Sequence, residues 1–181
     1  MRHFSISTPV GTRPDTTTFT YDAHGNLATV ANPLGDRTGF QYDLASRLTR
    51  QTDPRGRPTT FAYDPLNQVR TITDALGGLT DFTYDENGNL RTVTDARANP
   101  PTVYTFDAMD RVATRTDPLG ASESFVYDLA GNLSRRTDRK GQLSQFVYDS
   151  LNRLTTASYH DGAGMSYRYD AAGRLMRVAD S

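Results

Sequence analysis

The chain lacks several features that identify common classes of protein. It has no cysteine and no tryptophan among its 181 residues, and the lack of cysteine excludes a disulfide framework and a cysteine-ligated metal site. No apolar run approaches the roughly 20 residues that a membrane-spanning helix requires, so we expect no membrane insertion. The N-terminal Met1-Arg2-His3-Phe4 lacks the apolar segment of a signal peptide. Export of such a protein therefore requires another device or another segment.

The sequence also has no excess of charge of either sign. The formal net charge is −1, which gives no reason to expect nucleic acid or an anionic membrane as the partner. Only 36% of the residues are hydrophobic, so a thick globular core is not expected. What the chain does have is a repeat.

An aromatic residue followed by Asp recurs along the whole chain. Seven intervals separate the pairs, of which six are 21 residues long and one is 22. A fixed period of this length predicts a repeat architecture. The eight pairs are Tyr21-Asp22, Tyr42-Asp43, Tyr63-Asp64, Tyr84-Asp85, Phe106-Asp107, Tyr127-Asp128, Tyr148-Asp149 and Tyr169-Asp170.

A second aromatic residue stands two positions before each pair. The two columns together hold 16 of the 18 aromatic residues. Spacing of two places both rings on one face of a strand, whereas a helix would separate them by about 200°. The sequence therefore predicts a strand with an aromatic face in every repeat. The second column consists of Phe19, Phe40, Phe61, Phe82, Tyr104, Phe125, Phe146 and Tyr167.

A tight turn is predicted after each pair, before an aliphatic residue that begins a return strand. Its fourth position is Gly, Asn or Asp in seven repeats, which are the residues that tolerate positive φ, and Ser in one. The Asp of the pair can cap the turn as in an Asx-turn. A second turn of Asp, Pro and Gly follows, as in Asp53-Pro54-Arg55-Gly56. Each repeat thus reads strand, turn, strand, turn, and the whole predicts an all-β antiparallel meander of about 16 strands. The fourth positions are Gly25, Ser46, Asn67, Gly88, Asp110, Gly131, Asn152 and Gly173.

The flanks predict one array over residues 1–181, of about eight repeats with a partial repeat at the N-terminus and no separate toxin or export domain. Ser5 to Gly11 resembles the end of a preceding repeat, with Pro9 and Gly11 at second-turn positions. Asn99-Pro100-Pro101 accounts for the interval of 22 residues. Because the sequence starts and stops inside a repeat, we interpret it as an excerpt of a longer array or as a minimal array with unpaired edges.

These columns resemble the YD-repeat, or RHS-repeat, family. The signature Tyr-Asp-x-x-Gly-Asn-Leu occurs at 21–27, 84–90 and 127–133. The resemblance implies hairpins that form a continuous curved or spiralling sheet around a hollow shell. In bacterial polymorphic toxins and toxin complexes such a shell encloses a C-terminal toxin, and in teneurins a related shell serves adhesion outside the cell. The self-cleavage motif that closes the toxin arrays is not found here. The resemblance also implies a secreted or cell-surface location in a bacterium, as part of a larger exported protein.

No residue is predicted to be catalytic, to bind a cofactor or to ligate a metal. The eight pair carboxylates recur at every turn, so we interpret Asp22, Asp43, Asp64, Asp85, Asp107, Asp128, Asp149 and Asp170 as turn caps. The segment 85–89 has the oxygen density of a calcium loop but neither EF-hand spacing nor its closing Glu. His3, His24 and His160 occupy three different repeat positions, and no Gly-x-Ser-x-Gly motif occurs.

Three functions remain open. The first is a segment of β-shell wall that encloses or presents a protein cargo, such as a toxin domain. The second is a module that binds a glycan or a cell surface through exposed aromatic ladders. The third is self-assembly with other copies of the chain through open sheet edges. An enzyme is not expected, because no activated nucleophile is present.

Overall fold

A computed structural model gives the backbone of residues 3–8, 15–97 and 99–180, and the side chains of residues 16–97 and 99–180. The described residues form 17 β-strands and no helix. The prediction of an all-β fold built from antiparallel hairpin repeats is therefore confirmed. The proposed turn at Pro9 and Gly11 lies outside the described residues.

The chain divides into two compact units, Met1–Phe82 with Asp95–Ala98 and Thr83–Thr94 with Asn99–Ser181. The first unit holds seven strands and most of an eighth. These are β1 (His3–Thr8), β2 (Asp15–Tyr21), β3 (Leu27–Ala31), β4 (Arg37–Tyr42), β5 (Leu48–Thr52), β6 (Pro58–Tyr63), β7 (Val69–Thr73) and β8 (Leu79–Tyr84). The second unit holds the end of β8 and nine further strands. These are β9 (Leu90–Thr94), β10 (Thr102–Phe106), β11 (Val112–Thr116), β12 (Ser122–Tyr127), β13 (Leu133–Thr137), β14 (Leu143–Tyr148), β15 (Leu154–Ser158), β16 (Gly164–Tyr169) and β17 (Leu175–Asp180).

Within each unit every strand pairs antiparallel with its neighbour in sequence. The hairpin that carries the aromatic-Asp pair has an irregular register next to its turn. In β2 and β3, Tyr21 lies opposite Leu27 but Thr20 lies opposite Thr29, so that Ala28 is an extra residue. Such a bulge increases the local twist of the strands, and it recurs in the later hairpins of both units.

Where both turns of a repeat are described, they have the same backbone hydrogen bonds, although their sequences differ. In the first turn, Asp22 N–H donates to Asn26 O and Gly25 N–H donates to Asp22 O. The second turn repeats this pattern from Asn32, with Gly35 as its fourth residue. This is the three-residue hairpin loop, in which a type I turn precedes a residue in the left-handed region. Both edges of the ribbon are thus built from one turn.

The fourth residue of each first turn adopts positive φ whether or not it is glycine. The four non-glycine residues there are Ser46, Asn67, Asp110 and Asn152, with φ between 58° and 66°. Left-handed backbone is costly for a residue with a Cβ. The turn therefore imposes a positive φ on its fourth residue, which is Gly, Asn, Asp or Ser in this sequence.

Replacing Ser46 with Gly is expected to stabilise the array. Ser46 has φ 59°, and removing its Cβ relieves about 1–2 kcal/mol of left-handed strain, of which about 0.5–1 kcal/mol is offset by the greater backbone entropy of unfolded Gly. The free energy of unfolding in urea should rise by up to about 1 kcal/mol. The matched reverse change is Gly56→Ala, where φ is 78° and no atom lies within 4 Å of the new Cβ. Loss of stability in S46G would contradict this account.

Each unit is a single layer with almost no fully buried side chain. Among the described residues, Ala157 has the one buried apolar side chain and Glu123 the one buried polar side chain. The aromatic residues and the aliphatic residues of the return strands share one face, as where Phe61 lies opposite Ile72 and Tyr63 opposite Val69. Alternation along a strand then places the intervening threonines on the opposite face.

Candidate functional site: the aromatic face and its charged cluster

Every Asp of the eight pairs accepts hydrogen bonds from its own turn. In the first turn, Asp22 Oδ1 accepts from the backbone N–H of His24 and of Asn26, each at 2.9 Å. The second turn that begins at Asn32 uses the same device, since Asn32 Oδ1 accepts from the backbone N–H of Leu34 and of Asp36. The second turn that begins at Tyr159 has no carboxylate or amide at this position. The other seven pair carboxylates that do so are Asp43, Asp64, Asp85, Asp107, Asp128, Asp149 and Asp170.

The second carboxylate oxygen of most of these residues accepts from the side chain four residues later. In the first repeat Asn26 Nδ2 donates to Asp22 Oδ2 at 3.1 Å. Where the position holds Arg, as at Arg47, Nε and a terminal nitrogen both reach Asp43 Oδ2 at 2.7 Å. Sequence analysis included the Asn of this column in the family signature but assigned it no role, and it did not identify the Arg that stands there in four other repeats. The donors are Asn26, Arg47, Asn89, Arg111, Asn132, Arg153 and Arg174.

These hydrogen bonds lower the pKa of the turn carboxylates. The pKa of Asp107 lies below its usual 3.8 because the Arg111 side chain donates to it, although partial desolvation opposes the shift. For Asp43 the backbone N–H of Arg47 is the main cause. A carboxylate held ionised in this way is poorly matched to act as a general acid near neutral pH.

Three arginines of this column also join one repeat to the next. The guanidinium carbon of Arg47 lies 4.7 Å from the centre of the Tyr63 ring, a cation–π distance. The hydroxyl of Tyr63 donates to the carbonyl of Leu48 at 2.8 Å. The same arrangement holds Arg111 to Tyr127 in the second unit, and it recurs between Arg153 and Tyr169. Each of these tyrosines is therefore fixed at both its ring and its hydroxyl.

All sixteen aromatic residues of the two columns are partly exposed, and none is fully buried. Their rings share the face that carries the aliphatic return-strand residues, because partners in the register point to one side. The face is therefore an apolar surface open to contact. These residues are Phe19, Tyr21, Phe40, Tyr42, Phe61, Tyr63, Phe82, Tyr84, Tyr104, Phe106, Phe125, Tyr127, Phe146, Tyr148, Tyr167 and Tyr169.

One charged cluster interrupts this face in the second unit. Glu123 has 7% of its surface exposed. Its carboxylate oxygens lie 3.1 Å from a guanidinium nitrogen of Arg115, 2.9 Å from one of Arg136 and 3.5 Å from one of Arg139. Arg139 also lies 3.3 Å from Asp117. We call these five residues the Glu123 cluster. They hold three positive and two negative charges.

The Glu123 cluster has charged residues at two repeat positions where the other repeats mostly have uncharged ones. The position of Glu123 holds Thr in five of the other repeats, as at Thr80 and Thr102. The position of Arg115 and Arg136 holds Val, Ile or Ala in five of the other six repeats. The pKa of Glu123 is lowered, mainly by the hydrogen bond from Arg136. The pKa of Arg115 is raised, mainly by a hydrogen bond with Tyr104 and then by Glu123.

The segment 85–89, which has the oxygen density of a calcium loop, lines an open depression and does not form a metal-binding site. A volume of about 390 Å³ is lined by Tyr84, Asp85, Glu86, Asn87 and Arg91. Asp85 already accepts from the backbone of Asn87 and from Asn89. Across the described residues, no group of three or more His, Cys, Asp or Glu side chains could hold a metal ion. In that same part of the chain, no helix has the length and apolarity needed to cross a bilayer.

The chain is similar to two solved structures that carry these names. A crystal structure of TcdB2-TccC3-TEV matches 92% of the chain at 17% identity with a TM-score of 0.57, and the chain spans 11% of that protein. The Photorhabdus luminescens Tc holotoxin pore matches 91% of the chain at 15% identity with a TM-score of 0.48, and the chain spans 13% of it. The first likeness shows the fold. No curated protein sequence matches the chain.

Two family models match the sequence itself. The RHS repeat matches residues 21–58, and the teneurin YD-shell matches residues 57–180. The second match covers more than half of the chain and includes six of the eight aromatic-Asp pairs. The chain belongs to the teneurin YD-shell family, which is a family of structural shell repeats and not of enzymes.

Proposed function

We propose that residues 1–181 are one YD-repeat array and form a segment of the wall of a β-shell. In this role the wall encloses or presents a protein cargo, such as a toxin or effector domain, within a larger protein that a bacterium exports to its surface or its surroundings. The observation that carries the proposal is the uniform repeat, in which the first and second turns have the same backbone hydrogen bonds. Family membership over residues 57–180 supports it.

The proposal assigns structural roles to the residues of the repeat. The eight Asp residues cap turns, since each accepts two backbone hydrogen bonds from its own loop. The aromatic residues of the two columns form one face of the wall within each unit. The carboxylates are engaged by hydrogen bonds from their own turns, and the proposal assigns neither set a catalytic role, so it includes no enzymatic activity and no cofactor.

Protection of the downstream segment tests enclosure. In the full reading frame that contains this array, a protease site is inserted in the segment that follows the repeats, and its cleavage is followed with time. We expect slow cleavage in the native protein and fast cleavage when the wall is broken by Gly131→Val, because Gly131 has φ 89° and a β-branched residue there is strained. Fast cleavage in both proteins, or a reading frame with no such segment, would contradict enclosure.

A glycan-binding or cell-surface module is the second candidate, and the exposed aromatic face favours it. Phe125 lies opposite Arg136, whose side chain is 47% exposed, and ring faces beside guanidinium groups suit stacking against sugars. A glycan array tests this with the native chain and with Phe125→Ala. We expect reproducible binding that the substitution weakens about tenfold, as loss of one stacking contact would give. Equal signals from both proteins, or no signal, would exclude this candidate.

A further inference from the structure

The Glu123 cluster exposes its cations and covers its carboxylates. The side chains of Arg136 and Arg139 are 47% and 49% exposed, whereas those of Glu123 and Asp117 are 9% and 12% exposed. The carboxylate of Glu123 is thus covered by the guanidinium groups that bind it. A molecule that approaches the cluster therefore meets the positive ends of these ion pairs.

The cluster lies among the rings of the aromatic face. In the strand register Arg136 lies opposite Phe125 on one side and Ser144 on the other, and Arg115 lies opposite Tyr104. Partners in the register share a face of the sheet, so the guanidinium groups adjoin apolar surface. An anion bound there loses water on the apolar side, which strengthens its attraction to the guanidinium groups.

Two of the guanidinium groups are held close together and have N–H groups to spare. Arg136 and Arg139 contact different oxygens of the Glu123 carboxylate, at 2.9 Å and 3.5 Å. Within the described residues, the hydrogen bonds of these arginines use one N–H group on each, to Glu123 and to Asp117, although a guanidinium carries several. A further carboxylate suits the spare groups, because its two oxygens match the planar fork of a guanidinium.

The neighbouring charges leave this site open to an anion by exposure and not by net charge. The same turn as Arg139 carries Asp138 and Lys140, and the next second turn carries Asp161. With these residues included, four cations stand beside four carboxylates. Asp138 is half-buried and accepts hydrogen bonds from its own turn, which leaves Asp161 as the exposed carboxylate of this group. The exposed cations are Arg136, Arg139 and Lys140.

We propose that the Glu123 cluster binds a side-chain carboxylate of a partner protein, within an extended segment that places apolar side chains on either side of it. The apolar surface around the cluster favours such a segment over an anionic sugar, because sugar hydroxyls would lose hydrogen bonds to water there. The inference rests on the proposed function in one respect, since the enclosed or presented cargo would supply the segment. It adds the chemistry by which the wall recognises that cargo.

A synthetic peptide tests the proposal in solution. The probe is a fluorescent peptide Leu-Ser-Leu-Ser-Glu-Ser-Leu-Ser-Leu, which places Glu and the four Leu side chains on one side when it is extended. Its matched partner has Gln in place of Glu. Fluorescence anisotropy is measured with up to about 0.5 mM of the native chain. We expect the Glu peptide to bind about tenfold more tightly than the Gln peptide, with a preference that weakens as salt is added.

The double variant Arg136→Gln and Arg139→Gln should abolish the preference for the Glu peptide. The matched control is Arg135→Gln, which removes the same charge from an exposed residue on the opposite face of the sheet, where Arg135 lies opposite Val126 and Gln145. We expect the control to bind both peptides as the native chain does. Because both peptides are measured on the same protein, a change in stability does not alter the ratio of their Kd values.

Arg136→Lys provides a second variant for which folding is less in doubt. It keeps a positive charge beside Glu123 but removes the planar fork, so we expect a preference between those of the native chain and the double variant. Circular dichroism establishes that each protein is folded.

Three outcomes would overturn the proposal. The native chain could bind the two peptides equally, or bind neither. The Arg135→Gln control could lose the preference as fully as the double variant, which would indicate general attraction between charges. A hyaluronate oligosaccharide could bind more tightly than the Glu peptide and displace it, which would assign the site to an anionic sugar. The peptide is added separately and no downstream segment is used, so failure here is distinct from failure of enclosure, which protease protection measures.

Discussion

Acidification from about pH 6 to about pH 2 is expected to unfold the array steeply. Nine turn carboxylates have pKa values below 3.8 because hydrogen bonds from their loops favour the ionised form. Their folded-state pKa is lower than in the unfolded chain, so their contribution to stability is fully present above the unfolded value. It is lost as the pH falls through the folded values. The nine are Asp22, Asp43, Asp53, Asp85, Asp107, Asp128, Asp138, Asp149 and Asp170.

The slope of the unfolding free energy against pH measures this effect directly, because it gives the number of protons taken up on unfolding. We expect uptake of several protons below about pH 4, with nine from the turn carboxylates as the limit. Urea unfolding followed by circular dichroism at a series of pH values supplies the slope. A free energy of unfolding that is flat between about pH 5 and about pH 3 would contradict the hydrogen-bonded turns.

Asp138→Asn provides a matched control for this titration. Asp138 Oδ1 accepts from the backbone of Lys140 and Gln142, and Asn32 already makes the same two contacts in its own turn. The variant should therefore keep the turn and remove one titrating group. We expect nearly unchanged stability at neutral pH and an acid slope lower by up to about one proton.

The features that repeat were the ones that the sequence could predict. The spacing of Phe19 and Tyr21 predicts a strand with one aromatic face, and the register of β2 with β3 agrees with it. The residues expected to tolerate positive φ, such as Asn67 and Asp110, adopt it, and Ser46 adopts it as well although Ser was not among the residue types expected to do so. The preferences for strand and turn residues can be recognised because eight aligned repeats have the same backbone conformation with different residues at each position.

The features that sequence analysis missed depend on contacts between strands or between repeats. The equivalence of Asp53 and Asp22 is hidden because a Pro follows one and an Ala the other, although both accept the same backbone hydrogen bonds. The stacking of Arg47 on Tyr63 joins residues 16 positions apart. The Glu123 cluster draws on three strands and two turns, and only the register brings Arg115 opposite Glu123.

Replacing Glu123 with Thr is expected to destabilise the array, even though Thr is the common residue at this position. Arg115, Arg136 and Arg139 would lose the carboxylate between them. Removing one partner of a fully buried ion pair costs about 3–5 kcal/mol. Here the guanidinium groups of Arg136 and Arg139 are about half exposed and regain hydration, so we expect the free energy of unfolding to fall by about 1–3 kcal/mol.

Restoring the repeat around the new Thr should reverse this loss. The triple variant Glu123→Thr, Arg115→Val and Arg136→Val places Val where Val30 and Val93 stand in other repeats. Exchange of a buried ionic group for apolar residues is often neutral or stabilising, so we expect stability within about 1 kcal/mol of the native chain, or above it. Urea unfolding of the native, single, double and triple proteins gives the coupling energy.

Losses of unfolding free energy that simply add along the series would mean that the five residues do not act as one cluster. If the triple variant is as stable as the native chain, folding does not require the Glu123 cluster, because Thr and Val at these positions would give the same free energy of unfolding without buried charge.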